Sequence, residues 1–402
     1  MRNYAKITPE GTRDYLFEEV YAREAVKHSL THTFELHGYA PVATPHMEFH
    51  DLFRRHTAGW LADKLYHATD SRGRLLVLRP ESTLPIARVA ATRLQHASLP
   101  LRLYYSQGVF RRSRFYAGHN DEFTQCGVEL LGAAGLRADL EILSCAVDAL
   151  RACEAPRFRI ELGHAEIFKC LTDSLGVGGS QQEQPASSSE MHDLHEQLAS
   201  AIEAKNLPAL KELLAPFGSN CAAQALLGLP KLFGGEDVLQ RAQPLFKEPK
   251  LNQALNYLTR LYTQLKALGL HECIDIDLGL VHGQQYYTGL VFRGYIEGSG
   301  KAVLAGGRYD DLLGEFGRPA AAVGFAASLD YLAEALLAEG SFAAAPTIEA
   351  LIFAEAGREA AAVRCASQLR GKGKACLIAT CETLEEAHGF AKERGIAEVI
   401  AV

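Results

Sequence analysis

Leu101-Arg102-Leu103-Tyr104-Tyr105-Ser106-Gln107-Gly108-Val109 and Phe123-Thr124-Gln125-Cys126-Gly127-Val128-Glu129-Leu130-Leu131 are two strand-like runs of matching length. The charged stretch Phe110-Arg111-Arg112-Ser113-Arg114-Phe115-Tyr116-Ala117-Gly118-His119-Asn120-Asp121 joins them. The pattern predicts a long antiparallel hairpin. On its return strand Gln125, Gly127 and Glu129 share a face, because strand side chains alternate. Arg111 stands at the hairpin mouth. Glu81 and Thr83 follow a shorter apolar strand, Arg74-Leu75-Leu76-Val77-Leu78, which Arg79-Pro80-Glu81 breaks. Two acids, an amide and an arginine over a sheet floor suit a small zwitterion. Arg111 can pair with a carboxylate, Glu81 and Gln125 can accept from an ammonium, and Glu129 can accept from an imidazole N–H. Taken singly, each reads as a salt-bridge or surface group; the grouping is what points to a site.

Outward from the hairpin, residues 17–37 read as an amphipathic helix closed by Gly38. Ala40-Pro41-Val42-Ala43-Thr44-Pro45 must be extended, since proline disfavours helix in the residue before it. Residues 83–95 and 137–153 are helical, the latter with Leu140, Leu143, Val147 and Leu150 on one buried face. Phe158 to Leu162 is a strand. A polar stretch follows at 176–189, then a Leu/Ala-rich helical insertion to about 268. Strands return at Ile274–Leu278 and Thr288–Tyr295, and residues 319–338 read as an Ala/Leu helix. Beyond a boundary near 339–346, three strands (348–353, 374–379, 397–402) alternate with helices 357–370 and 382–394. That is a small βαβαβ unit with parallel strands. The expected domains are 1–165 and 269–338 for one interrupted core, 166–268 for the linker and insertion, and 345–402 for the last module.

Composition narrows the function. Over 402 residues, 41 Lys+Arg against 48 Asp+Glu leave a net charge of −7. A mildly acidic chain is not built for bulk nucleic-acid binding, which wants a basic face, although it leaves room for a local basic patch. No run of about 18 apolar residues marks a membrane span, and Met1-Arg2-Asn3-Tyr4-Ala5-Lys6 does not begin a signal peptide. The nine cysteines are scattered without a CxxC pair, which reads as reduced, buried thiols in a cytosolic protein. His28/His32 and His192/His195 have helical spacing but no HExxH arrangement, so solvated helix faces are the reading and no metal is expected.

Four ordered blocks then carry a resemblance. Leu78-Arg79-Pro80-Glu81-Ser82-Thr83 resembles the substrate strand of histidyl-tRNA synthetases. Phe110-Arg111 with Phe123-Thr124-Gln125-Cys126-Gly127-Val128-Glu129 resembles their class II motif 2. Leu280-Val281-His282-Gly283-Gln284-Gln285-Tyr286-Tyr287-Thr288-Gly289 resembles the histidine signature. Ala305-Gly306-Gly307-Arg308-Tyr309-Asp310 through Val323-Gly324-Phe325 resembles the approach to motif 3. With Pro9-Glu10-Gly11-Thr12-Arg13-Asp14, the likeness covers about residues 9–335. It implies an α/β (α+β) fold: a class II aminoacyl-tRNA synthetase-like antiparallel sheet of about six strands, with the helical insertion and the C-terminal α/β module. That module looks like a shortened anticodon-binding domain. Pairing near residues 20–60 is also implied, hence a homodimer inside a larger hetero-oligomer.

The departures carry as much information. The signature arginine and aspartate are His282 and Gln285, and a motif 2 glutamate is Ser113. An arginine that meets ATP phosphates is His119, and a later basic position is Asp121. The motif 3 arginine aligns with Tyr331. Phosphoryl chemistry needs fixed cations, and a neutral histidine or tyrosine supplies no permanently charged fork. At about 2 kcal/mol per lost contact, three losses total roughly 6 kcal/mol, or about four decades in rate. The residues that would hold the amino acid match: Glu81, Thr83, Arg111, Gln125, Glu129, Tyr286 and Tyr287. On a strand the two tyrosines point to opposite faces, so at most one lines the pocket, and Tyr287 is preferred. Gly306-Gly307 would permit close packing at a turn.

A histidine pocket without ATP machinery is similar to the regulatory subunits of short-form ATP phosphoribosyltransferases. The resemblance implies a non-catalytic cytoplasmic chain, without cofactor, metal, nucleic acid or membrane. Its partners would be the catalytic subunit and free histidine. Two alternatives stand beside it: an active histidine–tRNA ligase, and an amino-acid sensor with no phosphoribosyltransferase partner.

Overall fold

The computed structural model describes residues 4–54, 64–112, 120–155, 157–176, 188–218, 220–281, 286–340 and 347–402. The chain divides into two compact units, one of Ala22–Ser341 with Met1–Tyr15, the other of Phe342–Val402 with Leu16–Tyr21. The larger begins with strands β1 (Ala40–Pro41), β2 (Met47–Phe49), β3 (Tyr66–Thr69) and β4 (Leu75–Leu78). Next come β5 (Leu101–Phe110), β6 (Glu122–Leu131), β7 (Phe158–His164), β8 (Phe233–Gly234) and β9 (Ile274–Asp277). Strands β10 (Leu290–Ile296), β11 (Leu304–Arg308) and β12 (Ala322–Ser328) complete it.

Nine of these strands form one sheet in the order β1-β5-β6-β12-β11-β10-β7-β9-β8, and β2-β4-β3 form a second. From β5 across to β7 every neighbouring pair is antiparallel, which makes a six-stranded antiparallel core. The parallel additions β1 beside β5 and β9 beside β7 widen it. Strands β1 and β8 have two residues each, too few to leave an alternating signature in the sequence.

The β5–β6 hairpin runs in register from Leu101 opposite Leu131 to Phe110 opposite Glu122. Behind the sheet, the helix Glu18–Leu36 packs on the hairpin from Ala22 onward, and the helix Leu136–Ala152 packs on β12. Ala22, Val26, Leu30 and Phe34 recur every four residues on the first and are fully buried, the stripe that a helix lays on a sheet. Phe34 closes against Tyr104 and Phe325, with ring centroids 6.0 and 5.8 Å away. On the front, Tyr105, Val77, Leu84, Ile86, Tyr309 and Leu313 belong to one buried cluster.

Two local expectations are corrected. Residues 319–338 are not one helix: β12 takes Ala322–Ser328, and a helix follows at Leu329–Glu339. The run is rich in alanine, which favours helix locally. Between two antiparallel neighbours, however, the small residues are required, since a Cβ on Gly324 would meet the Val128 carbonyl and the Glu129 carboxylate. Likewise Gly306 and Gly307 lie inside β11, not at a turn. A Cβ on Gly306 would strike the Gly324 carbonyl and the Phe325 and Phe292 side chains.

Between Ala165 and Ala267 the described residues are mainly helical, with helices at Ala165–Ser174, Ser188–Glu203, Leu207–Leu214, Cys221–Gly228, Asp237–Ala242 and Pro249–Ala267. This segment belongs to the larger unit, and its strand β8 pairs with β9 of the main sheet. In the smaller unit β13 (Ala350–Phe353), β14 (Cys376–Ile378) and β15 (Glu398–Ala401) form a parallel sheet ordered β14-β13-β15. Alternate residues of β13 face different helices. Ala350 and Ile352 pack with Ala362 and Ala366, while Leu351 and Phe353 pack with Ala387 and Ala391. The module therefore has three layers.

Gly306→Ala tests the packing of the main sheet. Overpacking at such a site costs about 1–3 kcal/mol, so urea unfolding should show a lower midpoint with an unchanged slope. An unchanged midpoint would contradict the described contact.

Candidate functional site

A cavity of about 240 Å³ opens on the front of the antiparallel core. That is below the size range of drug-like ligand pockets and suits a small metabolite. All seven residues expected from the sequence line it: Glu81, Thr83, Arg111, Gln125, Glu129, Tyr286 and Tyr287. Tyr105, Arg293, Ala305, Tyr309, Gly324, Phe325 and Ala326 complete the wall.

Glu81 follows β4 and precedes the helix Thr83–Ala91. Its two carboxylate oxygens accept the backbone N–H groups of Thr83 and Leu84 at 2.9 and 2.8 Å. The otherwise orphan amides of a helix start thus hold the carboxylate in place. Thr83 Oγ1 donates to Glu129 Oε1 at 2.8 Å, and the Tyr309 hydroxyl donates to Glu129 Oε2. Arg111 Nε donates to the Pro80 carbonyl at 2.6 Å, and its guanidinium lies over the Phe123 ring. Gln125 Oε1 is buried without a hydrogen-bond partner among the described residues, an acceptor that a ligand donor would satisfy.

Burial dominates the electrostatics. It pushes the Glu129 carboxyl up to about 8, against the hydrogen bonds from Tyr309 and Thr83, with Glu81 adding to the rise. Burial also pushes Glu81 up, opposed by the Leu84 and Thr83 amides and by Arg111. Arg111 is lowered by burial and supported by Glu81. The remaining cation on the wall, Arg293, donates to Glu203 at 2.5 Å. The cavity therefore holds two buried acids against Arg111, a balance that favours a ligand bringing positive charge together with a carboxylate.

Tyr286 and Tyr287 are corrected. They precede β10 and do not lie on a strand, so alternation does not separate them. Their rings pack 5.0 Å apart and both reach the cavity, with Tyr286 also 5.7 Å from Tyr309. Tyr105 was legible from the hairpin register, which sets it opposite Gly127 and so on the Gln125–Glu129 face. Arg293, Ala305 and Ala326 share a cross-strand row through β10, β11 and β12, a juxtaposition that only the sheet order provides.

Of the departures from the synthetase pattern, Ser113, His119, His282 and Gln285 lie outside the described residues. Asp121 is buried; its carboxylate accepts from the Tyr66 hydroxyl, and its N–H donates to the Gly11 carbonyl at 2.7 Å. Tyr331 lies in the first turn of the helix Leu329–Glu339, with Lys301 Nζ 4.9 Å from its ring. Outside the cavity, His28 and His32 are exposed and stacked on their helix. No helix among the described residues is long and apolar enough to cross a membrane.

An antiparallel core with paired carboxylates and a motif 2-type arginine defines a class II, histidyl-tRNA synthetase-like protein. The histidyl-tRNA synthetase family model matches residues 11–332. An ATP phosphoribosyltransferase regulatory subunit from Clostridium kluyveri is 34% identical over 98% of this chain and 99% of its own length. One from Bacillus cereus is 33% identical over 100% of this chain and 92% of its own length. A crystal structure from Bacillus halodurans, described as an ATP phosphoribosyltransferase regulatory subunit/histidyl-tRNA synthetase, matches with a TM-score of 0.84 and 29% identity. That match covers 100% of this chain and 99% of the solved one. The chain belongs to the ATP phosphoribosyltransferase regulatory subunit family, within the synthetase-like fold.

Glu129 gives the site a pH signature. Its folded-state value of about 8 lies above the unfolded carboxyl value. Stability from the neutral form is therefore full below the unfolded value and lost as pH rises through about 8. Glu129→Gln should stabilise the empty protein by roughly 2–4 kcal/mol at pH 8 and much less at pH 5. Urea unfolding at both pH values checks this; an equal effect at both would contradict a buried, neutral Glu129.

Proposed function

We propose that this chain is a non-catalytic subunit that binds free histidine in the cavity. It passes that occupancy to a separate catalytic subunit, a short-form ATP phosphoribosyltransferase. The partner joins ATP and phosphoribosyl pyrophosphate in the first step of histidine biosynthesis, and the end product bound here turns it down. The observation that carries the reading is the charge balance: Glu81 and Glu129 are buried against Arg111 around one small cavity. A zwitterion with a basic ring meets each group in turn. Arg111 takes the carboxylate; Glu81, Thr83 and Gln125 take the ammonium; Glu129 and Tyr287 take the imidazole. Each carboxylate oxygen has two acceptor sites, so the bonds from Thr83, Leu84 and Tyr309 leave capacity for the ligand. Tyr286 packs against Tyr287 and Tyr309 and closes the aromatic wall.

Absence of adenylation by the chain itself is part of the proposal. It is supported by Asp121 and Tyr331, which stand where the resemblance places fixed cations. Asp121 adds negative charge, and Tyr331 supplies no permanent positive charge. A homodimer within the hetero-oligomer also belongs to it. Met47, Phe49 and Leu75, exposed apolar residues of the small β2-β4-β3 sheet, support pairing there. Feedback requires histidine to favour one state of the assembly, with reciprocal coupling between the two sites.

Calorimetric titration with histidine tests the site. Truncating one partner of a buried charge pair costs about 2 kcal/mol or more, so Arg111→Ala should weaken histidine binding at least about 30-fold. Arg111→Lys should recover part of that loss. Co-purified with the catalytic subunit, the wild-type chain should confer activity that histidine inhibits, and the Arg111→Ala complex should resist inhibition. Undiminished binding in Arg111→Ala would sink the assignment, as would an assembly indifferent to histidine.

The ligand's ammonium, held at Glu81 and at Thr83 beside Glu129, lowers the proton affinity of Glu129 while the bound imidazole stays neutral. Histidine binding at pH 7–8 should therefore release a proton, seen as a dependence of binding heat on buffer ionisation enthalpy. Glu129→Gln should abolish that dependence.

A further inference from the structure

Arg293 belongs both to the cavity and to its surroundings. On β10 it lies opposite Ala305 on one side and Glu161 on the other. Arg293 and Ala305 line the cavity together with Ala326, the next residue in the row. Yet the guanidinium is bound away from the cavity: Nη2 donates to Glu203 Oε1 at 2.5 Å and to the Val281 carbonyl at 3.1 Å. Glu203 is the last residue of the helix Ser188–Glu203, in the helical segment. One side chain thus ties the cavity wall to the end of a helix that contributes no lining residue.

The ground around Arg293 is acidic. Glu161 sits beside it in the sheet, and Asp277 lies 3.5 Å from Lys205 Nζ. Burial pushes Glu161 up to about 7, with Asp277 adding to the rise and Lys205 and Arg293 opposing it. Burial raises Asp277 too, against Lys205 and Arg293. Glu203 accepts from the guanidinium while Glu161 flanks it in the sheet, so charge arriving in the cavity acts on a cation with two acidic neighbours.

We propose that Arg293 is a positioning residue that transmits occupancy of the cavity to the helix Ser188–Glu203 through its bond to Glu203. The proposal rests on the histidine reading above. In the empty state the bond to Glu203 is one of two acidic contacts within the guanidinium's reach, since Glu161 flanks it in the sheet. A ligand with an ammonium and a basic ring repels a cation on the wall and fills the space into which it could swing. Both effects commit Arg293 to Glu203 and stiffen the end of that helix. The difference between the two states is what coupling between distant sites requires. A purely structural salt bridge would hold the helix equally in both.

Hydrogen exchange of the full-length chain, with and without saturating histidine, reads this directly. The side chain of Glu203 is 34% exposed, so Glu203→Gln should fold, and calorimetry on the same samples reports binding. In the wild type, histidine should slow amide exchange in the last turns of this helix about fivefold or more. In Glu203→Gln, binding should persist within about threefold while the slowing disappears. Histidine binding by the wild type without slowed exchange overturns the coupling and leaves the binding reading intact. No histidine binding by the wild type overturns the reading on which the coupling rests. Equal slowing in Glu203→Gln, or loss of its binding, overturns the role given to Glu203.

Discussion

Burying two carboxylates on one face of a sheet is the constraint around which the rest of the molecule is arranged. Left uncompensated, such a pair would neutralise or force the site open. Glu81 is held by the amides of a helix start, Glu129 by the hydroxyls of Thr83 and Tyr309, and Arg111 supplies the opposing charge. The six-stranded core gives these groups a common floor. Its glycines and alanines keep the space above that floor clear: a Cβ on Gly324 would run into Glu129 itself. Packing and recognition are therefore one problem in this protein, solved by the same small residues.

The same floor can serve a synthetase or a sensor. Amino-acid recognition asks for acceptors and a fork-shaped cation, which the cavity brings together. Activation of a triphosphate asks in addition for fixed positive charge around the phosphates. At the described positions where the synthetase pattern carries such charge, this chain has Asp121 and Tyr331. One is tied to Tyr66 and Gly11, and the other is packed against Lys301. On the proposed reading, this chain grips a metabolite and a separate subunit carries out the catalysis.

Much of the fold was legible because its elements are long and periodic. The hairpin of Leu101–Phe110 and Glu122–Leu131, the helix Glu18–Leu36 and the alternating C-terminal module each repeat a clear pattern. The two-residue strands β1 and β8 have no pattern to read, and β12 was hidden because its alanines favour helix until neighbouring strands override them. The seven expected side chains meet in one cavity, since the motifs that contain them are local. Arg293, Ala305 and Ala326 escaped because their meeting depends on the order of β10, β11 and β12 in the sheet. Tyr286 and Tyr287 both reach the cavity because they precede β10, which starts at Leu290, so strand alternation does not separate them.

Histidine-dependent exchange of labelled pyrophosphate into ATP, measured on the same preparation whose histidine binding is quantified by calorimetry, decides whether the chain binds histidine without activating it. Stoichiometric uptake of histidine with exchange no faster than a protein-free control is the predicted result. Brisk exchange, or a preparation that takes up ATP but not histidine, would contradict it.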